Sequence, residues 1–131
     1  MWSDILHFQT LFYSKDDVSS PVVDYLADLI AKDSQMANKA IYALRSLPKK
    51  AYLNQDIKVL KIGKHKFFEL RVKSNVNICR FFYIVENPNF IILYGFTKKS
   101  QKTDKRDLNQ GVQNLEDYLH YKKTIKSNKF L

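Results

Sequence analysis

Apolar and polar positions change rhythm twice along this chain, from helical spacing to strict alternation near residue 58 and back near residue 104. Before the first helix, residues 5–13 (ILHFQTLFY) alternate and are rich in aromatic and β-branched types, which predicts a strand. Leu6, Phe8, Thr10 and Phe12 share one face of it, and His7, Gln9, Leu11 and Tyr13 the other. Ser20-Pro21 then opens a helix, because a serine hydroxyl can accept from an orphan amide and a proline in the first turn gives up no needed donor. Asp24 and Asp28 lie early in that helix, and Val22, Leu26, Leu29 and Ile30 form its apolar stripe. Asp33-Ser34 reads as a break and a fresh N-cap. Met36, Ala40, Ala43, Leu44 and Leu47 continue at helical spacing until Pro48, which cannot extend the helix. Two helices so closely joined predict an antiparallel helical hairpin.

Residues 58–62 (KVLKI) read as a weak strand, and Gly63-Lys64 as a turn. In the next strand Phe68, Leu70 and Val72 face one way, and Glu69, Arg71 and Lys73 the other. After a turn at Asn75, Cys79, Phe81, Tyr83 and Val85 oppose Ile78, Arg80, Phe82 and Ile84. Residues 86–89 (ENPN) turn the chain again. Residues 90–97 are the most hydrophobic strand and belong at the sheet centre, with Gly95 marking a bulge or a close approach. Thr103 or Asp104 caps a last helix with Leu108, Val112, Leu115 and Leu119 as its stripe. That stripe is lost after Tyr121, so residues 122–131 are expected to fray. The order β-α-α-β-β-β-β-α predicts an α+β domain over residues 1–131. Its twisted, mainly antiparallel sheet carries the helical hairpin on one face and the C-terminal helix near a sheet edge.

Composition narrows the partners. The chain has 131 residues, enough for one core, and 45% of them are hydrophobic, so disorder is not expected. Lysine and arginine number 22 against 13 acids, a net charge of +9 that favours polyanions over neutral partners. Cys79 is the sole cysteine, which excludes an intrachain disulfide framework and fits a reducing cytoplasm; in an apolar strand it reads as a small core residue. No secretory leader or membrane-spanning run is expected. His7, His65 and His120 lack ligand-like spacing, so neither metal nor cofactor is expected.

The chemistry lies in basic residues at strand positions. Arg71 and Arg80 sit inside consecutive predicted strands, and Lys98 and Lys99 end the next. Guanidinium groups spent on a sheet interior build an anion site, and cations from separate strands can converge on an RNA phosphate. At this point FELR (68–71), RFFY (80–83) and GFTKKSQKT (95–103), with SPVVDYL (20–26) and LRSLP (44–48) upstream, resemble the phage-derived HigB-like toxins of the RelE/ParE superfamily. The resemblance covers roughly residues 5–121. It departs at Asp104, where the family commonly has proline, and at His65-Lys66-Phe67, where many members have glycine.

The resemblance implies a RelE-like fold and the toxin of a type II toxin–antitoxin system. It also implies metal-independent cleavage of messenger RNA on the ribosome, and neutralisation by a HigA-like helix-turn-helix antitoxin. DNA would be met only through that antitoxin, and no membrane is involved. Arg71, Arg80 and Lys99 match the family's catalytic positions; Lys64, Lys66, Lys73, Lys98 and Lys102 are RNA-binding candidates. Cleavage by the RNA's own 2′-hydroxyl needs a base, an acid and stabilisation of added charge at phosphorus. Arginines supply the last. Crowding among Lys98, Lys99 and Lys102 would favour a neutral lysine as base. The foremost expectation is that Arg80 meets the phosphate directly and can be truncated without loss of fold. Two readings compete with the nuclease: a ParE-like gyrase inhibitor and a non-catalytic basic binding protein.

Overall fold

Local capping chemistry places the helices where the sequence puts them. The structure, a computed structural model, describes residues 9–48, 56–98 and 103–126. Ser20 Oγ accepts from the amides of Val22 and Val23 and starts α1 (Pro21–Lys32). Asp33 ends α1 and caps α2 (Ser34–Ser46) by accepting from the Met36 amide. The remaining elements are β1 (Gln9–Tyr13), β2 (Asp56–Ile62), β3 (His65–Lys73), β4 (Ile78–Glu86), β5 (Asn89–Lys98), α3 (Lys105–Tyr121) and β6 (Thr124–Ile125). Residues 5–8, the expected start of the first strand, lie outside the described residues.

The strands form one sheet in the order β2-β3-β4-β5-β1-β6. From β2 to β5 it is an antiparallel meander, with the hydrophobic β5 in the interior as expected. β1 joins β5 in parallel, and β6 pairs antiparallel with β1. The fold is therefore α+β with a mostly antiparallel sheet, as in RelE-like proteins.

Alternation gives the sheet two buried faces. The helical hairpin covers one, where Val22, Leu26, Ala40 and Leu44 meet Leu70 and Phe81. Gly95 is needed here: a Cβ would lie 2.9 Å from the rings of both Phe81 and Tyr25. Cys79 is fully buried in the same core, and burial pushes its thiol pKa up, which suits a packing residue. Ile30, placed in the apolar stripe of α1 by spacing, is 37% exposed.

The opposite face carries α3, and two expectations change there. The helix lies over β5 inside the sheet, not at its edge. Its buried positions are Asp107, Gly111, Asn114, Leu115 and Tyr118, while Leu119 is 43% exposed. Two contacts turn the helix this way. Gly111 lets it approach so closely that a Cβ would lie 2.5 Å from Phe82 Cδ2. Asn114 Nδ2 donates 2.9 Å to the carbonyl of Leu93, at the register shift where Phe82 opposes Tyr94 and Tyr83 opposes Ile92. A bulge interrupts the ladder, and a side-chain amide satisfies the carbonyl there.

The chain after Tyr121 is ordered through residue 126, contrary to the expected fraying. Lys122 takes a left-handed conformation and pairs with Glu86, which turns Thr124 and Ile125 onto β1. Residues 127–131 lie outside the described residues. None of the described helices is long and apolar enough to cross a membrane.

Candidate functional site

Arg71 on β3 and Arg80 on β4 are direct cross-strand partners, so the two guanidiniums share the α3 side of the sheet. Like charges facing each other across a ladder repel, and one carboxylate answers both. Glu69, two residues before Arg71 on the same face, is fully buried. Its Oε1 accepts from Arg71 Nε at 2.8 Å, and its Oε2 lies 3.6 Å from Arg80 Nη1. Thr103, just before α3, closes the set: its hydroxyl accepts from Arg80 Nη1 at 2.7 Å and donates to Glu69 Oε2 at 2.9 Å. Two strands and the start of the α3 segment are thereby tied through one carboxylate.

Arg80 has no exposed side-chain surface, and its strand neighbours Ile78 and Phe82 are buried beside it. This alters the expected direct contact between Arg80 and a phosphate. The guanidinium lies beneath the surface, committed to Glu69 and Thr103. Arg71 differs: its side chain is 12% exposed. Among the described residues Nε is the only Arg71 nitrogen engaged, and the terminal pair, whose planar fork suits a bidentate acceptor, has no such partner there.

Two lysines flank this core on the same face. Lys73, at the end of β3, pairs with Asp56 at 2.8 Å, across from Arg71 on β2. The hydrogen bond from Lys73 holds the Asp56 carboxyl below the usual range against the opposing effect of burial, and the charges of Lys73, Arg71 and Arg80 act in the same direction. Lys98, at the end of β5, pairs with Asp104, so that carboxylate goes to a lysine instead of capping α3. The negative charge that departs from the family pattern is thus turned onto the basic set itself.

The other candidates lie elsewhere. Lys64 is in the β2–β3 turn, roughly 23 Å along the strand from Arg71 at 3.3 Å per residue. Lys66 projects from the opposite face of β3 by alternation, beside Phe68. The structure therefore separates both from Arg71, Arg80, Lys73 and Lys98. Lys99 and Lys102 lie outside the described residues. His65 bonds Glu116 of α3 and stands four positions beyond Glu69 along β3. Among the described residues no group of His, Cys, Asp and Glu is arranged to hold a metal ion. A cleft of about 770 Å³ among the described residues is lined by Asp24, Glu116 and Asp117 against Lys15 and contains none of the candidate cations; its excess of carboxylates is wrong for a phosphate.

The sequence by itself put Glu69 only on the strand face of Arg71 and Lys73, and Thr103 only at the end of GFTKKSQKT and as a helix cap. The available signal was an acid two residues from an arginine on one strand face, opposite a second arginine on the next strand.

The family model described as Phage derived protein Gp49-like matches residues 27–116, more than half of the chain. The chain belongs to this phage-derived Gp49-like family. The match includes Glu69, Arg71, Arg80, Lys98 and Thr103, so the whole network lies within the Gp49-like region. β1 and β6, which pair with each other at the far side of the sheet, fall outside it. Neither the curated proteins nor the solved structures give a match.

Proposed function

We propose that this Gp49-like protein is the toxin of a type II toxin–antitoxin pair and cleaves messenger RNA on the ribosome, in the manner of HigB-like toxins. The observation that supports the reading is the largely buried Arg71 guanidinium, anchored by Nε to Glu69, with its terminal nitrogens unengaged among the described residues and Lys73 and Lys98 on the same sheet face. Such a fork can hold two phosphate oxygens at once and stabilise the charge that builds on them as the 2′-hydroxyl attacks. Lys73 and Lys98 supply screened attraction to neighbouring phosphates by exchanging Asp56 and Asp104 for RNA. Arg80 acts from below by fixing Glu69 and Thr103. Lys99 follows Lys98 directly and is the candidate for the proton step. The net charge of +9 suits both ribosomal RNA and an acidic or mixed-charge antitoxin of the HigA-like kind, with association fastest at low salt.

The test is cleavage of a defined message on programmed ribosomes, with the fold of each variant checked by circular dichroism. Arg71→Ala should lower the cleavage rate on the order of a hundred- to a thousandfold. Arg71→Lys should recover only part of it, because it keeps the charge and loses the planar fork. Wild-type protein that breaks DNA while translation continues would replace this reading with the gyrase one. Full cleavage by folded Arg71→Ala would remove Arg71 from the site.

A further inference from the structure

We infer that Glu69 is a positioning residue of this site: it aims the Arg71 fork and, through Thr103, ties the approach to α3 to the sheet. The inference rests on the nuclease reading and adds to it a residue that carries the wrong charge for binding RNA. Three observations support it. Glu69 is an ionised-type side chain with no exposed surface, a placement that is costly unless each oxygen is satisfied. Both oxygens are satisfied, and by different elements: Oε1 by Arg71 of its own strand, Oε2 by Thr103 of the α3 approach and by Arg80 of β4. The Arg71 nitrogen it takes is Nε, which leaves the end-on pair of terminal nitrogens without a hydrogen-bond partner among the described residues.

Loss of Glu69 would release the Arg71 guanidinium from its Nε anchor and the Thr103 hydroxyl from its acceptor together.

Charge and position predict opposite outcomes for Glu69→Gln, which makes the test sharp. If Glu69 only tempers the basic patch, removing its charge makes the patch more positive, and both RNA affinity and turnover should rise or hold. If Glu69 positions the fork, turnover should fall although affinity does not. We expect Glu69→Gln to bind a short RNA carrying a 2′-deoxy block at the scissile position at least as tightly as wild type. Its single-turnover cleavage on ribosomes should be slower on the order of a hundredfold, the effect of a displacement of about 1 Å at a reacting group.

Because Glu69→Gln could fail to fold, Thr103→Val provides a second variant: it keeps shape, removes the hydroxyl alone, and should slow cleavage in the same sense by a smaller factor. A third readout needs no activity. In ¹⁵N spectra of arginine side chains, the Arg71 Nε–H should exchange slowly in wild type and quickly in Glu69→Gln. If wild type does not cleave RNA, the nuclease reading fails while the exchange measurement still reports whether Glu69 holds Arg71. Wild-type cleavage by both folded variants would overturn the inference, as would an unprotected Arg71 Nε–H in wild type.

Discussion

Arg80→Ala should be primarily a stability mutation. The side chain is fully buried, and it contributes a 2.7 Å hydrogen bond to Thr103 and a 3.6 Å ion pair to Glu69. Removing one partner of a buried pair typically costs about 3–5 kcal/mol, because the other charge stays buried without it. Here Glu69 keeps Arg71 at 2.8 Å and the Thr103 hydroxyl at 2.9 Å, which moderates that term to about 3 kcal/mol. Truncation also empties one of the largest fully buried side-chain volumes among the described residues, next to Phe82. Cavity formation on that scale adds about 1–2 kcal/mol. The sum, about 4–5 kcal/mol, is a large part of the roughly 5–15 kcal/mol that stabilises a domain. Urea unfolding should therefore show a much lower midpoint with little change in slope, and Tm should drop by about 10–20 °C. Arg80→Met, which restores volume without charge, should recover the cavity part alone. Arg71→Ala is the contrast: its side chain reaches solvent and Glu69 keeps Arg80, so the loss should be nearer 1–2 kcal/mol. An Arg80→Ala protein within about 1 kcal/mol of wild type would refute the reasoning and return Arg80 to the surface.

Gly111→Ala should destabilise despite its better helix propensity: the new Cβ would sit 2.5 Å from Phe82 Cδ2, and overpacking of about 1–3 kcal/mol exceeds a propensity gain of about 1 kcal/mol; urea titration decides the sign. Glu86 is held below its ordinary value of 4.5 by hydrogen bonds first from Lys122 and then from Tyr118. A carboxyl depressed in the folded state stabilises fully above its unfolded pKa and loses that contribution as pH falls through the folded one. Thermal melts from pH 6 down to pH 3 should therefore show a shallower acid decline for Glu86→Gln than for wild type, and parallel curves would contradict the assignment.

Local order was legible in the sequence because its causes are local. Ser20-Pro21 and Asp33 placed the first two helices by capping chemistry, and alternation within each strand set Leu70 apart from Glu69 and Arg71, and Phe81 apart from Arg80 and Phe82, sets that the cross-strand register then matched. The resemblance to HigB-like toxins rests on strings of which FELR, RFFY and GFTKKSQKT lie inside the Gp49-like region, and the cross-strand match of Arg71 with Arg80 places two of its three catalytic candidates side by side. Contacts between distant elements decided the rest. The parallel pairing of β1 with β5 and the return of residues 124–125 onto β1 depend on partners far away along the chain, which no periodicity encodes. The rotation of α3 away from its leucine stripe was decided by two small contacts, the space left by Gly111 and the Leu93 carbonyl that Asn114 satisfies. In the site, alternation tells which residues share a face but not how much of that face a helix will cover. Only the assembled structure shows Arg80 fully buried, Glu69 as the shared carboxylate of two guanidiniums, and Arg71 as the one of the two whose side chain still reaches solvent.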